Sequence, residues 1–419
     1  MTKNNPVQDK YTYLVGSKTK LIVLSDIHLG AKKTKASANV DNEISKQINS
    51  LNQESSAIVV LNGDIFELWA GEKPTVQRSI KAHQKFANSL IALSKKPKNK
   101  IVFVVGNHDG ALGWDESQQQ YLIKTFKANI CFAFELNINT KEGIKSVLFE
   151  HGHMLDPENT FEDPRDPHDK PFGQYLVQKA LPMVIQSQGK LISGISHLAE
   201  PHQFPKFVAS RVFYRELLSK SWWLLIPIVI TLILRLIVGY DIYIATGLSP
   251  ADISRILVIT EVAVFFTVLG FFVAIVFILF QLLSRAKTVP SNFGPDGHHN
   301  ALARQKAQDL INFDKNIGYI TGHTHRAEIR KLQNGFYANT GCGVEMVEST
   351  KTHLKLPKTY VSRVHLHWLE IDIDKSSLHI NHWQMITTID NQTLLEKIAT
   401  KKSKKSSPLE IQKQLSVDL

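Results

Sequence analysis

Asp26 and His28 stand two residues apart at the end of an apolar run, Leu21 to Gly30, LIVLSDIHLG. On an extended backbone, alternate residues share a face. The pair would therefore offer one hard carboxylate oxygen and one imidazole to the same ion. Asp-x-His arises often by chance, so the pair alone says little. Four later stretches complete it. Ala57 to Leu61 runs into Asn62, Gly63 and Asp64, and Ile101 to Val105 into Gly106, Asn107, His108 and Asp109. Lys145 to Phe149 runs into Glu150, His151, Gly152 and His153. Ile317 to Thr321 runs into Gly322, His323, Thr324, His325 and Arg326.

The strand-end set is then Asp26, His28, Asp64, Asn107, His151, His323 and His325. Two carboxylates, one amide oxygen and four imidazoles suit two borderline divalent cations, manganese first and then iron or zinc, and suit calcium or magnesium poorly. If the ions lie ~3.5–4 Å apart, the spacing that hydrolyses phosphate esters, one carboxylate must bridge them. Such a pair clamps phosphoryl oxygens and holds a bridging hydroxide as nucleophile. The leaving oxygen still needs a proton. His108, beside Asn107, is the expected donor, with Asp109 expected to orient it.

These residues need rigid elements behind them. Each follows an apolar run, as the buried strands of a parallel sheet do. Between them, helices are expected over Pro74 to Ser94, Ser117 to Lys127 and His298 to Asp314. Strands alternating with helices at this spacing indicate an α/β layered sheet. The chain has 419 residues, 43% of them hydrophobic, enough for a large core or two ordinary ones. Its net charge of +11 favours anionic partners, phosphorylated substrates or anionic lipid. Nucleic acid is not expected, because the charge forms no patch interleaved with aromatics. Two distant cysteines, Cys131 and Cys342, fit a reducing compartment. The polar start, MTKNNPVQDK, shows no apolar core of a secretory signal.

The middle of the chain changes character. After DPRDPHDKP come two long apolar runs, Trp222 to Ile244 and Ile253 to Leu283, each reaching the ~20 residues a membrane helix needs. The short link between them makes a helical hairpin. Lys206, Arg211, Arg215 and Lys220 precede it, and Arg285 and Lys287 follow. Both basic flanks then lie on one side, the cytoplasmic one, together with both halves of the catalytic unit. The tail from Thr400, KKSKKSSP, reads as basic and disordered, available to anionic headgroups.

D-x-H, G-D, G-N-H-D, H-G-H and G-H-T-H, in this order, resemble the calcineurin-like metallophosphoesterase superfamily. The resemblance covers Leu21 to Gly152 and Ile317 to Asp374. It implies a sandwich of two sheets flanked by helices. It also implies one metal held by Asp26, His28, Asp64 and His325, and a second by Asp64, Asn107, His151 and His323, with Asp64 bridging. The run IFELWAG after Asp64, Arg326 after His325 and the large insert are similar to the branch containing UDP-2,3-diacylglucosamine pyrophosphohydrolase, where the insert caps the acyl chains. That enzyme has arginine at the place of His108 and an acidic residue at the place of His153, so its specificity does not transfer. Asn107, His153 and Arg326 are expected to touch substrate. Cys342 is expected to form a structural turn beside the site.

The expected organisation is a phosphoesterase unit in two parts, 1–160 and 298–399, around a helical insert at 161–297, with a tail at 400–419. The expected function is a membrane-anchored, two-metal hydrolase facing the cytoplasm, acting on a phosphate ester or pyrophosphate, lipid-linked in the favoured reading. The alternatives are an anchored phosphodiesterase or phosphatase for soluble nucleotides or phosphoproteins, and a non-catalytic membrane scaffold.

Overall fold

The computed structural model describes residues 6–16, 18–180, 197–198, 203–217, 250–285, 298–314, 316–353, 356–401 and 406–419, with a few single positions between 219 and 249. Its centre is four neighbouring strands. β2 (Thr19–Leu24), β3 (Ala57–Asn62), β4 (Lys100–Val104) and β5 (Asn129–Thr140) lie parallel in that order. β3 reads AIVVLN and is buried at every position. Strands covered on both faces have no polar side to alternate with, which is why each motif follows an unbroken apolar run.

The sheet extends both ways. β6 (Gly143–Glu150), β7 (Asn316–Thr321), β9 (Gly335–Asn339) and β8 (Glu328–Leu332) follow β5. β11 (Thr359–Ile373), β12 (Ser377–Ile389) and β13 (Ser407–Asp418) lie on the far side of β2. β1 (Gln8–Val15) pairs with β5, and β10 (Gly343–Thr350) with β11. The two layers expected from the sequence are thus continuous, as one mixed sheet of 13 strands folded back on itself. Leu21, Val23, Val60, Val102, Phe134, Phe149, Ile320, Phe336 and Leu369 fill the fold's interior. Its two edges meet where the Lys413 ammonium donates to the Ile329 carbonyl.

Helices cover the outside. α1 (Lys35–Ser50) starts at Thr34, whose hydroxyl accepts from the Ser37 N–H while the Ser37 hydroxyl accepts from the Thr34 N–H. Val40, Ile44 and Ile48 recur every fourth residue and form its buried stripe. The helix expected over Pro74 to Ser94 is instead two, α2 (Val76–Ala82) and α3 (Gln84–Ser94), broken at His83. His83 is fully buried 3.8 Å from the Asp41 carboxylate of α1, and that carboxylate accepts from the Phe86 N–H and the Lys33 ammonium. Satisfying a buried carboxylate turns the backbone there, which helical periodicity cannot register. α4 (Glu116–Phe126) completes this side, capped by the Asp115 carboxylate. The helix His298–Phe313 covers the other half over Leu148, Tyr319 and Tyr337.

In the insert, a short helix α5 (Phe172–Tyr175) runs into wider turns at Leu176–Ala180, and α6 (Phe204–Arg211) into Val212–Leu217. Arg211 is buried, with Nη1 3.1 Å from Glu396; Arg215 reaches the same carboxylate at 3.0 Å. Glu396 also caps its own short helix, Leu394–Ala399. The insert is thereby tied to the end of the sheet. Of the two apolar runs, 222–245 lies almost wholly outside the described residues. The second is α7 (Pro250–Arg285), and its stretch Ala251–Phe272 is long and apolar enough to cross a membrane, with Ile253 buried near its start and most of the rest exposed. The hairpin is therefore not seen as such. The tail expected to be disordered holds β13, paired to β12 from Ser377 and Asp418 to Ile386 and Ser407. Leu415 and Val417, two apart, pack on the interior, and this outweighs the basic composition before them.

On β11 and β12, His367 Nδ1 and His382 Nε2 lie 3.3 Å apart and buried. Burial, with like charge nearby (His382 and His365 for the first, Lys413 for the second), pushes them down to about 3 and about 4. Both stay neutral in the fold, whereas unfolded histidine takes a proton near pH 6.5. Stability should thus be intact above about pH 6.5 and fall as pH drops toward 4, by up to about 1.4 kcal/mol per pH unit for each residue. Thermal unfolding between pH 7 and 5 should give a shallower slope for His382→Gln than for the parent chain; equal slopes would clear this pair of the effect.

Candidate metal centre

The carboxyl ends of β2, β3, β4, β6 and β7 converge on one point. Their loops are cross-linked by the backbone itself: the Asp26 N–H donates to the Gly63 carbonyl at 3.0 Å, His28 N–H to the Asp64 carbonyl at 3.1 Å, and Gly322 N–H to the His151 carbonyl at 2.9 Å. Five of the candidate ligands pay for this convergence with left-handed backbone. φ is +52° at Asp26, +43° at His28, +54° at Asp64, +69° at His323 and +57° at His325. Non-glycine residues rarely hold such angles, and where they cluster the surrounding structure is overriding local preference.

The side chains come together as the strand ends predict. His151 Nε2 lies 3.2 Å from Asp64 Oδ2 and 3.1 Å from the Asn107 amide oxygen. His325 Nε2 lies 3.3 Å from Asp26 Oδ1 and 3.3 Å from His28 Nε2, and His28 Nε2 lies 3.9 Å from Asp64 Oδ2. Three donor groups result, Asp26 with His28 and His325, Asp64 with His151 and His323, and His28 with Asp64 and His108, each with its atoms within 4.8 Å of one another. Asp64 faces His28 as well as His151, the position a bridging carboxylate needs.

The donor set fits a pair of cations. His151 Nδ1 faces the Asn62 carbonyl at 3.0 Å and can only donate to it. That tautomer leaves a lone pair on Nε2, aimed at a carboxylate and an amide oxygen that also offer only lone pairs. Three acceptors converging in a buried place need positive charge among them. With protons alone to supply it, burial opposes charging of His151, but Asp64 and Asp26 outweigh burial and push it up to about 10. A cation would satisfy the same cluster without a proton.

Two supporting carboxylates went unread in the sequence. Glu67 Oε2 lies 2.9 Å from His108 Nδ1 and 3.4 Å from His28 Nδ1, and its other oxygen accepts from the Trp69 and Ala70 N–H groups. Burial opposes the charge on His108, and Glu67 and Asp64 overcome it, raising His108 to about 9. Asp156 Oδ2 lies 3.0 Å from His323 Nε2, fixing that ring so that Nδ1 is left for the cluster. Glu67 had one signal, its place three residues beyond Asp64; Asp156 had none. Asp109, expected to orient His108, does not touch it. Its carboxylate accepts from the Gly106 N–H at 2.7 Å and the Ile65 N–H at 2.8 Å, so it ties the two loops together.

The remaining expectations resolve unevenly. Asn107 is buried in the cluster, its Nδ2 turned toward Asn159 at 3.5 Å. His153 is buried behind it, its ring 5.4 Å from that of His151 and 5.7 Å from Phe161, and burial together with His151 holds it neutral. It backs the cluster rather than lining an open surface. Arg326 is half-buried beside His325. Cys342 is buried at the turn between β9 and β10.

The profile of the calcineurin-like phosphoesterase family matches residues 19–214. Over those residues the chain is similar to a calcineurin-like phosphoesterase domain. The matched residues hold Asp26, His28, Asp64, Asn107 and His151, while His323 and His325 lie beyond them and join the cluster through β7. The comparison with curated proteins gives no match. Solved structures similar to the chain include a single mutant of Vps29 from Entamoeba histolytica, at 9% identity over 96% of this chain and 99% of that one, TM-score 0.31. Vps29 from Chaetomium thermophilum has 9% identity, 95% and 96% coverage and a TM-score of 0.33. Phosphopantetheinyl hydrolase from Mycobacterium tuberculosis has 11% identity, 78% and 91% coverage and a TM-score of 0.28. These likenesses are too slight to bear on chemistry, which rests on the chain's own residues.

Gly63 is one of the tightest points of the cluster. Its φ is +86°, and a Cβ there would stand 2.3 Å from His151 Nδ1. Gly63→Ala should displace His151, so the divalent metal bound per chain, measured by mass spectrometry after gel filtration, should fall relative to the parent chain; unchanged stoichiometry would mean that His151 is no ligand.

Proposed function

We propose that the chain is a membrane-held hydrolase of phosphate esters or diphosphates that works with two divalent ions, manganese in preference to iron or zinc. The observation that carries this reading is the convergence of lone pairs on Asp64 at the ends of five strands. Asp26, His28, Asp64 and His325 would hold one ion; Asp64, Asn107, His151 and His323 would hold the other. Bound there, the ions would supply positive charge for the phosphoryl oxygens and acidify a water for attack.

The protein's own groups do the rest. His108, kept protonated by Glu67, gives its proton to the departing oxygen. Trp69 stacks on the His108 ring with centroids 4.0 Å apart and shields it from water. The His108 N–H on the main chain donates to Asp64 Oδ1 at 2.8 Å, which ties the backbone of the acid to the carboxylate that would be shared by the two ions. Asp156 holds His323 in register, and Asp109 keeps the two loops from parting.

The lipid part of the reading is supported by α7, which sits in the insert and bares Ile259, Phe265, Phe266 and Phe271. Burying such a face in hydrocarbon is favourable, and the basic residues on both flanks favour the cytoplasmic side. A lipid-linked substrate could then reach the site along the bilayer.

Purified protein in detergent should lose its activity to a chelator and regain it with manganese. Offered bis-p-nitrophenyl phosphate, p-nitrophenyl phosphate and a UDP-linked diacyl sugar, it should favour the last. Turnover of the small esters alone would remove the lipid part, and no turnover with any of the three metals would remove the hydrolase. His108→Ala should lower kcat by roughly 10²–10⁴ on an alkyl ester, and far less on p-nitrophenyl esters, whose leaving group needs no proton. A loss equal for both would deny His108 its role as acid. In cell fractions the full chain should stay with the membrane through a high-salt wash and leave it in detergent; release by salt alone would make the attachment electrostatic.

A further inference from the structure

Beside the cluster, on the side of Asn107 and His108, lies a pocket of about 640 Å³. It belongs to the groups of the proposed hydrolytic site at one end and to the start of the insert at the other. One wall is aromatic, made of Trp69, Trp114 and Phe161. Trp69 and Phe161 are buried, but Trp114 is 43% exposed, a large ring left open.

Trp114 is held in place by its neighbours. It follows the tight turn Gly110–Gly113. A Cβ on Gly110 would stand 2.8 Å from the Phe161 ring, and one on Gly113 would stand 2.1 Å from the Pro164 carbonyl. The turn is pressed against the insert at both glycines, so the backbone that carries Trp114 has a fixed place at the pocket.

Another part of the lining is of a different kind. The start of the insert contributes Lys170, Gln174, Gln178 and Lys179, together with Pro167, Asp169 and Val177. Among the described residues the two lysine and two glutamine side chains have no hydrogen-bond or ion-pair partner. An acyl chain in this pocket would strip water from two ammonium and two amide groups and give nothing back, which is costly. A flat ring on Trp114 would leave its edge to those groups, and stacking of this kind tolerates many ring types.

We infer that this pocket binds the organic group of the phosphoryl substrate, and that this group is a flat aromatic or heteroaromatic ring stacked on Trp114. The inference rests on the hydrolase reading for its orientation, because the pocket opens at His108. Any alkyl chain of a lipid-linked substrate then lies elsewhere.

The test is direct binding to the full manganese-loaded chain in detergent, followed by tryptophan fluorescence and calorimetry. The probes are naphthylmethylphosphonate and octylphosphonate, which share the phosphonate and differ in shape. The flat probe should bind about ten-fold more tightly or better. Trp114→Ala should abolish that preference and leave octylphosphonate affinity within about two-fold. Trp114→Phe, which keeps a smaller flat ring, should retain part of it. Octylphosphonate binding as well as or better than the flat probe would overturn the inference in favour of an acyl pocket. So would a preference that survives Trp114→Ala. Hydrolysis of p-nitrophenyl esters is measured on the same samples. Turnover without a flat-ring preference removes the pocket and keeps the hydrolase; a preference lost in Trp114→Ala without any turnover keeps the pocket and removes the hydrolase.

Discussion

Lone pairs that cannot satisfy one another govern this structure. Asp26, Asp64, Asn107 and four imidazoles are carried to one place by five strands, and most of what surrounds them exists to hold them there against their mutual repulsion. Left-handed backbone at five of the seven is the plainest sign, because each costs about 1–3 kcal/mol wherever it occurs. The buried parallel strands supply the stiffness. The backbone bonds from Asp26 to Gly63, His28 to Asp64 and Gly322 to His151 carry that stiffness from the strand ends into the loops.

Behind the seven stands a layer of anions that never joins them. Glu67 holds two rings, His28 and His108, and draws its own bonds from two peptide groups. Asp156 holds His323, and Asp109 holds two loops. These carboxylates act on orientation and protonation. Their placement divides the labour, with strand-end residues offering electron pairs and helix or loop residues fixing which electron pairs are offered.

Much of this could be read in the chain before folding. The apolar run before each motif announced the strands, and the residue types at their ends announced the cluster. What could not be read depends on contacts between distant segments. Asp109 is adjacent to His108 in sequence and turns away from it, while Glu67, forty-one positions earlier, reaches it. The break at His83 follows from a carboxylate on another helix. β13 hides behind a run of lysine and serine because its two inward residues are too few to stand out. The insert was legible as apolar, but composition does not reveal that its first turns line a pocket together with Trp114.

The candidate ligands are also divided in time. His151 and His323 are separated by 172 positions (323 − 151), and the whole insert lies between them. A ribosome adding 5–20 residues per second needs roughly 9–34 s to make that interval. Until it has passed, Asp26, His28 and Asp64 face a sheet without β7. The nascent protein therefore makes its apolar helix before it owns all seven groups of the cluster.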